Sequence, residues 1–303
     1  MDLRFNTSDG FETRILERPA LWMDEEDLAA LRKDLIDVAS KTIARGALTY
    51  GVFSEDQEAL ERTVITLVRD RETGQPIAFN ALAVMEVEYG QEPKTVLHLG
   101  LVMVDPNVRS RGLSWVLYGL TCILIFVRNG FRPVWVSNVT QVPAVVGMVS
   151  ETFSNVYPMP ECRNRLSLTH LLLARRIMRD HRHVFGVGSD AGFDEDRFVI
   201  TNAYTGGSDD LKKSFNEAQK HRDEIYNRFC EDTLDYDRGD DVLQLGEIDL
   251  NAARTYLQKS VPPGSFLTLL FAGAFVFLQR VALPIVYWFD ASRSWGDLRG
   301  RLS

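Results

Sequence analysis

The chain has 303 residues, more than one typical domain of about 100–200, so both an enlarged single core and two smaller ones are accommodated. A hydrophobic fraction of 45% beside 25% charged residues is that of a globular protein, which excludes a disordered chain, a collagen-like repeat and a multi-span membrane protein. The formal net charge of −8, with no basic run, leaves no footprint for nucleic acid. Cys122, Cys162 and Cys230 are widely spaced without a CxxC pair, and residues 1–10 are polar rather than signal-like, so a reducing, cytoplasmic setting is expected. The spacing of Cys162, His170, His181 and His183 fits no standard zinc set; these histidines read as surface positions of a helix, and no metal is expected.

Residues 24–45 open with four acidic side chains and repeat Leu28, Leu31, Leu35 and Val38, a helical period with carboxylates at the positive end of the helix dipole. Residues 63–69, 77–88 and 95–104 read as three consecutive antiparallel strands joined by turn-rich segments around Gly74 and Gly90. Residues 115–127 are almost continuously apolar and close on Arg128-Asn129-Gly130, a helix end; a helix apolar on most sides must be covered on most sides. A short buried strand is expected over 133–137, helices over 142–153 and 167–182, and a strand over 198–200. Residues 209–232 read as a charged, solvated helix, and 186–196 and 235–241 as loops.

Between the last strand of the meander and the apolar helix lies VDPNVRSRGLSW, residues 104–115. A glycine there lets backbone N–H groups crowd a pyrophosphate, the helix beginning near Ser114 offers unpaired N–H groups and a positive dipole end, and Arg109 and Arg111 add charge. The pattern resembles the Arg/Gln-x-x-Gly-x-Gly/Ala motif of the GNAT N-acyltransferases: Arg109 and Gly112 fall on its positions, and Ser114 stands where glycine or alanine is usual. The element order over residues 11–158 is also similar to the GNAT core.

The resemblance implies an α/β fold, a central mixed and mostly antiparallel sheet flanked by helices, with a mainly helical C-terminal elaboration. It implies residues 1–160 as the acyl-CoA-binding catalytic core, 161–260 as the elaboration and 261–303 as an apolar terminal segment. It further implies that the fourth and fifth strands of that core splay apart around the pantetheine of acyl-CoA, the co-substrate. On that reading Val102, Val104, Arg109, Ser110, Arg111, Gly112, Leu113, Ser114 and Asn138 bind the cofactor, and the Val102 N–H polarises the thioester carbonyl. Asn138 is either a pantetheine contact or a helix cap.

His98 lies eleven residues before Arg109, where some GNAT enzymes, the histone acetyltransferases among them, carry a glutamate base. Strand alternation puts His98, Gly100, Val102 and Val104 on one face, which makes His98 the candidate catalytic base; a satisfied core histidine is the competing reading. The family's tyrosine acid would fall at Met148 if Ala144 is its marker, so no acid stands there, and Tyr118 and Tyr157 are substitutes in type only.

Residues 266–289 are long enough to cross a bilayer but carry Gln279-Arg280 centrally and Pro284 beyond, so a simple span is not expected. The aromatic cluster Tyr287, Trp288, Phe289 and Trp295, with Arg280, Arg293, Arg299 and Arg301, suits contact with an anionic leaflet at the inner face of a membrane. The competing reading is a helix that covers residues 115–127 or makes a homodimer contact. The membrane reading favours a long acyl chain and a lipid amine, such as the sphingoid bases used by the ceramide synthases among bacterial lipid N-acyltransferases; a soluble small-molecule or protein amine, and a non-catalytic acyl-CoA sensor, are the alternatives.

Overall fold

The computed structural model describes residues 2–8, 10–42, 51–54, 57–90, 92–108, 113, 115–162, 165–206, 211–261 and 265–289. Its frame is a ten-stranded sheet in the order β1-β2-β3-β4-β5-β6-β10-β9-β8, with β7 also paired to β10. The strands are β1 (Asp2–Ser8), β2 (Phe11–Glu17), β3 (Thr63–Asp70), β4 (Pro76–Val87), β5 (Lys94–Val104), β6 (Val134–Thr140), β7 (Ser154–Tyr157), β8 (Gly192–Asp194), β9 (Val199–Thr201) and β10 (Asp241–Ile248). All described pairings are antiparallel except β5 with β6. The expected fold class, a mixed and mostly antiparallel sheet flanked by helices, is the one observed.

Two helices cover one half of the back face. α1 (Glu25–Thr42) starts where the Asp24 carboxylate accepts the Asp27 N–H at 2.8 Å, and it buries Leu28, Leu31, Leu35, Val38 and Ala39, the stripe read from the sequence. The short α2 (Glu58–Glu61) adds Leu60, and together they pack on Ile65, Leu67, Phe79 and Met103 of the sheet. The other half of that face carries α5 (Leu168–Arg176), continued by a π-helical turn (Ile177–His181), over Trp135, Leu243 and Leu245.

The front face is covered by α3, whose first turn (Val116–Leu120) is π-helical and whose remainder (Thr121–Arg128) is α-helical. Thr121 through Phe126 are all buried, as a helix apolar on most sides requires. The sheet lies on one side of α3; Ala253 and Tyr256 of α7 (Leu250–Lys259) and Leu269 of α8 (Phe266–Phe289) lie on others. α4 (Pro143–Thr152) sits beside it over β6, with α6 (Glu224–Thr233) packed outside α4. α8 therefore covers the apolar helix, but only with part of its surface: Leu267, Leu270, Phe271, Leu278 and Ile285 are each more than half exposed. Among the described residues no helix is long and apolar enough to cross a membrane.

Two expectations are corrected, and a segment for which none was stated adds two strands. An N-terminal hairpin, β1–β2, turning at Gly10 with φ of 85°, precedes the first helix and extends the sheet edge. Of the charged stretch expected to be one solvated helix over 209–232, residues 212–223 run irregularly along α4, where Gln219 supplies the carbonyl for the Ala144 N–H at 3.0 Å, and the α-helix α6 begins at Glu224 and buries Tyr226, Asn227 and Cys230. His170 is fully buried rather than on the surface: it closes a capping box with Ser167 and its Nε2 bonds the Asn155 carbonyl at 2.8 Å. The C-terminal part is mainly helical by length, yet it also supplies β8, β9 and β10, the last paired to β6 along its whole length.

Candidate active site

The site is made by a failure of pairing. β5 and β6 run side by side only at Val96–Trp135, Leu97–Val136 and His98–Ser137; beyond these pairs they diverge, the splay the resemblance implies. The divergence opens a cavity of about 170 Å³. Its walls are Leu99, Gly100 and Val102 of β5, Asn138, Val139 and Thr140 of β6, Leu82 of β4, Leu117 of α3, and Val145 and Met148 of α4. Drug-sized ligands occupy sites of about 300–1,000 Å³, so this space suits a narrow linear arm.

A bulge orients β5 in this cleft. Opposite β4, Leu101 faces Ala81 but His98 faces Ala83, so β5 holds one residue more than its partner between these pairs. Gly100 occupies the bulge because any Cβ there would stand 2.6 Å from the Ala81 carbonyl oxygen. The extra residue reverses side-chain parity. Leu99, Val102 and Val104 pack toward α3, whereas Leu101 and Met103 pack toward α1. His98, opposite Ala83, is turned to the back face, against Phe185 at 5.0 Å between ring centroids.

The expectation that His98 and Val102 share a face is thereby overturned, and with it the placement of His98 as a base in the cleft. Its Nδ1 lies 3.0 Å from the Ser137 hydroxyl, it is 4% exposed, and burial pulls its pKa down to about 4, leaving it neutral near pH 7. The competing reading, a satisfied core histidine, describes its surroundings.

Val102 is oriented differently. The Asp105 N–H donates to the Ile77 carbonyl at 2.8 Å in the same ladder, so alternation gives Leu101, Met103 and Asp105 their bonds to β4. Val102, between them, points its N–H and C=O away from β4 and into the splay. Val104 has the same orientation, but its carbonyl accepts from the Thr42 hydroxyl at 3.3 Å. Asp105 accepts the Asn107 N–H at 2.9 Å and pairs with Lys41 at 3.1 Å, which holds its carboxyl below the usual range and pins the start of the following loop to α1.

Asn138 lines the cavity but caps no helix, since α4 begins at Pro143 with Val142 as its N-cap. Its Nδ2 donates to Gln244 Oε1 at 3.3 Å, and Gln244 is anchored in turn on the Ser150 hydroxyl and the Pro158 carbonyl, both at 3.1 Å. Leu113 is buried, and its carbonyl receives the N–H groups of Val116 and Leu117, each at 3.1 Å, which starts α3. Arg109, Ser110, Arg111, Gly112 and Ser114 lie outside the described residues, as does the Tyr118 side chain. Met148 lines the cavity where the family's acid would be, while Tyr157 packs on Phe198 at 4.9 Å and donates to the Asp196 carbonyl, away from the cleft. Among the described residues, no side chain lining the cavity is ionisable.

Sequence reasoning missed the bulge and two groups on the first turn of α3, Asn80 and Tyr256. A glycine inside a strand and an asparagine in the apolar run AFNALAV were the available signals.

No family model matches the chain, and no curated protein matches it. Among solved structures, similarity is found to a ribosomal-protein-S5-alanine acetyltransferase from Vibrio fischeri, at 10% identity over 45% of this chain and 74% of that one, TM-score 0.30. A variant of a spermidine N-acetyltransferase from Vibrio cholerae is 15% identical over 48% and 78% of the two chains, TM-score 0.30. Arabidopsis thaliana NAA60, bound to a bisubstrate analogue, is 14% identical over 48% and 86%, TM-score 0.28. Likeness at these TM-scores decides neither fold nor function; the geometry of the cleft carries the reading that follows.

Proposed function

We propose that the protein transfers an acyl group from coenzyme A to a primary amine. The observation that carries this is the splay after His98 and Ser137, which presents the Val102 N–H to a narrow cavity at the head of α3, directly after the loop that holds Arg109, Gly112 and Ser114. In this reading the loop holds the pyrophosphate, the pantetheine runs between β5 and β6 past Asn138, and the thioester carbonyl accepts from the Val102 N–H. The amine nitrogen then attacks the carbonyl carbon, the C–S bond breaks, and the thiolate leaves with its electron pair. Among the described residues that line the cavity none is ionisable, and in this reading the amine enters already deprotonated, and its second proton and the thiolate's protonation are exchanged with water.

A lipid amine is the acceptor that the surface of α8 favours. Its exposed residues Leu267, Leu270, Phe271, Leu278 and Ile285 recur at helical spacing, an apolar stripe about 27 Å long at 1.5 Å per residue. Residues 266–303 carry four arginines against two aspartates in a chain of net charge −8, so this end alone suits an anionic leaflet. The test is thiol release from acyl-CoAs of increasing length against amines from polyamines to sphingoid bases. Preference for long chains and lipid amines supports this reading in full; acetyl-CoA with a soluble amine keeps the transferase and removes the lipid; CoA binding without turnover favours a sensor.

A further inference from the structure

The first turn of α3 is gripped by two side chains for which acyl transfer itself has no use. A π-helical turn carries one residue more than an α-helical turn, loosens the regular carbonyl pairing, and is frequent at functional sites. Here two carbonyls of that region are taken up from outside the helix. From β4, Asn80 donates through Nδ2 to the Leu117 carbonyl. From α7, the Tyr256 hydroxyl donates to the Trp115 carbonyl at 2.6 Å. The Tyr256 ring lies against Gly119, where a Cβ would collide with it, so the glycine admits the tyrosine to the turn.

Asn80 is 1% exposed, and among the described residues its Oδ1 accepts no hydrogen bond. A buried polar atom left this way is unfavourable, and strand packing alone would be served by leucine. Asn80 also stands opposite Val102 in the β4–β5 ladder, and Leu117, whose carbonyl it holds, lines the cavity with Val102. The grip therefore acts on a helical residue that lines the proposed thioester site.

We propose that Asn80 and Tyr256 are positioning residues for the coenzyme A site, clamping the π-turn so that the start of α3 and the Leu117 wall are held at the cleft. The C-terminal part of the chain, through α7, is on this view a component of the cofactor site. The inference rests on the coenzyme A reading above.

The test uses the full chain and coenzyme A itself as probe. Tyr256→Phe keeps the ring over Gly119 and removes only the hydroxyl; Asn80→Leu removes both the donor and the orphan acceptor. Each is expected to weaken CoA binding about 5- to 10-fold by calorimetry, the worth of one hydrogen bond. KM for acyl-CoA should rise by a similar factor and by more than kcat falls, because the clamp acts first on binding geometry. Amide exchange over residues 115–121 should quicken in both variants while that of β3 and β4 does not. The double variant should lose less than the product of the single effects, since both act on one turn. Variants that bind CoA as tightly as the parent overturn this inference alone. A parent chain that binds no CoA overturns the cofactor reading and this inference with it.

Discussion

Lowering the pH from 7 to 5 is expected to cost the folded state about 2 kcal/mol through His98. The ring is 4% exposed between the Ser137 hydroxyl and Phe185, and burial takes its pKa from 6.5 to about 4. The unfolded chain binds a proton below pH 6.5, whereas the folded one refuses it until about pH 4, so protons favour unfolding across that window and the full loss reaches about 3 kcal/mol below it. Asp241 acts with the opposite sign: fully buried, its carboxyl is pushed up to about 7, so acidification through the same window favours the folded state. The whole-protein acid profile thus mixes two opposed contributions, and the comparison that isolates His98 is with His98→Gln. Urea titrations of both proteins at pH 7 and pH 5 should show the stability gap between them change by about 2 kcal/mol. A gap that does not move with pH refutes a buried neutral histidine. The same variant bears on catalysis: with the ring on the back face, turnover should stay within a few-fold, and a fall of about 100-fold in a stably folded protein would restore His98 as the base.

Gly100→Ala should destabilise by about 1–3 kcal/mol and lower kcat/KM at least about 10-fold, because a methyl 2.6 Å from the Ala81 carbonyl forces the bulge to shift and turns Val102 from the cleft; chemical denaturation and steady-state rates check this. Since the described residues lining the cavity carry no ionisable side chain, kcat/KM should rise with pH up to the pKa of the acceptor amine itself; a plateau set below it, in a pH–rate profile over amines of different basicity, would reveal an enzyme base. Phe271→Glu with Leu278→Glu, both on the exposed stripe of α8, should abolish flotation with vesicles containing an anionic phospholipid while leaving the thermal midpoint within a few degrees; unchanged flotation would remove α8 as the membrane contact.

Local pattern went far along this chain. The leucine stripe of α1, the three-strand meander and the apolar helix after residue 114 each follow from periodicity over about ten residues, and the helix's need for cover on most sides was met by β-sheet, α7 and α8. β10 escaped notice because Asp241, Gln244 and Gly246 break its apolar run; Gln244 is tolerable in the centre of a sheet only because Asn138, Ser150 and Pro158 satisfy it from distant parts of the chain. Likewise nothing within 211–223 announces that its backbone, rather than a side chain, completes the start of α4.

At the candidate site the sequence by itself determined which residues are adjacent in the chain: a strand through Val102, a basic glycine-bearing loop, and an apolar helix beyond it. Tertiary structure decided how they face one another. One extra residue at Gly100 reverses the alternation, so His98, four positions from Val102, is carried to the opposite side of the sheet. The parting of β5 from β6 makes the cavity, and the grip of Asn80 and Tyr256 on α3 joins residues 37 and 141 positions from the carbonyls they hold. Periodicity reports the direction of a side chain only while the register is unbroken, and a bulge, a splay and a long-range clamp are each set by the partner strand or helix rather than by the residue's own neighbours.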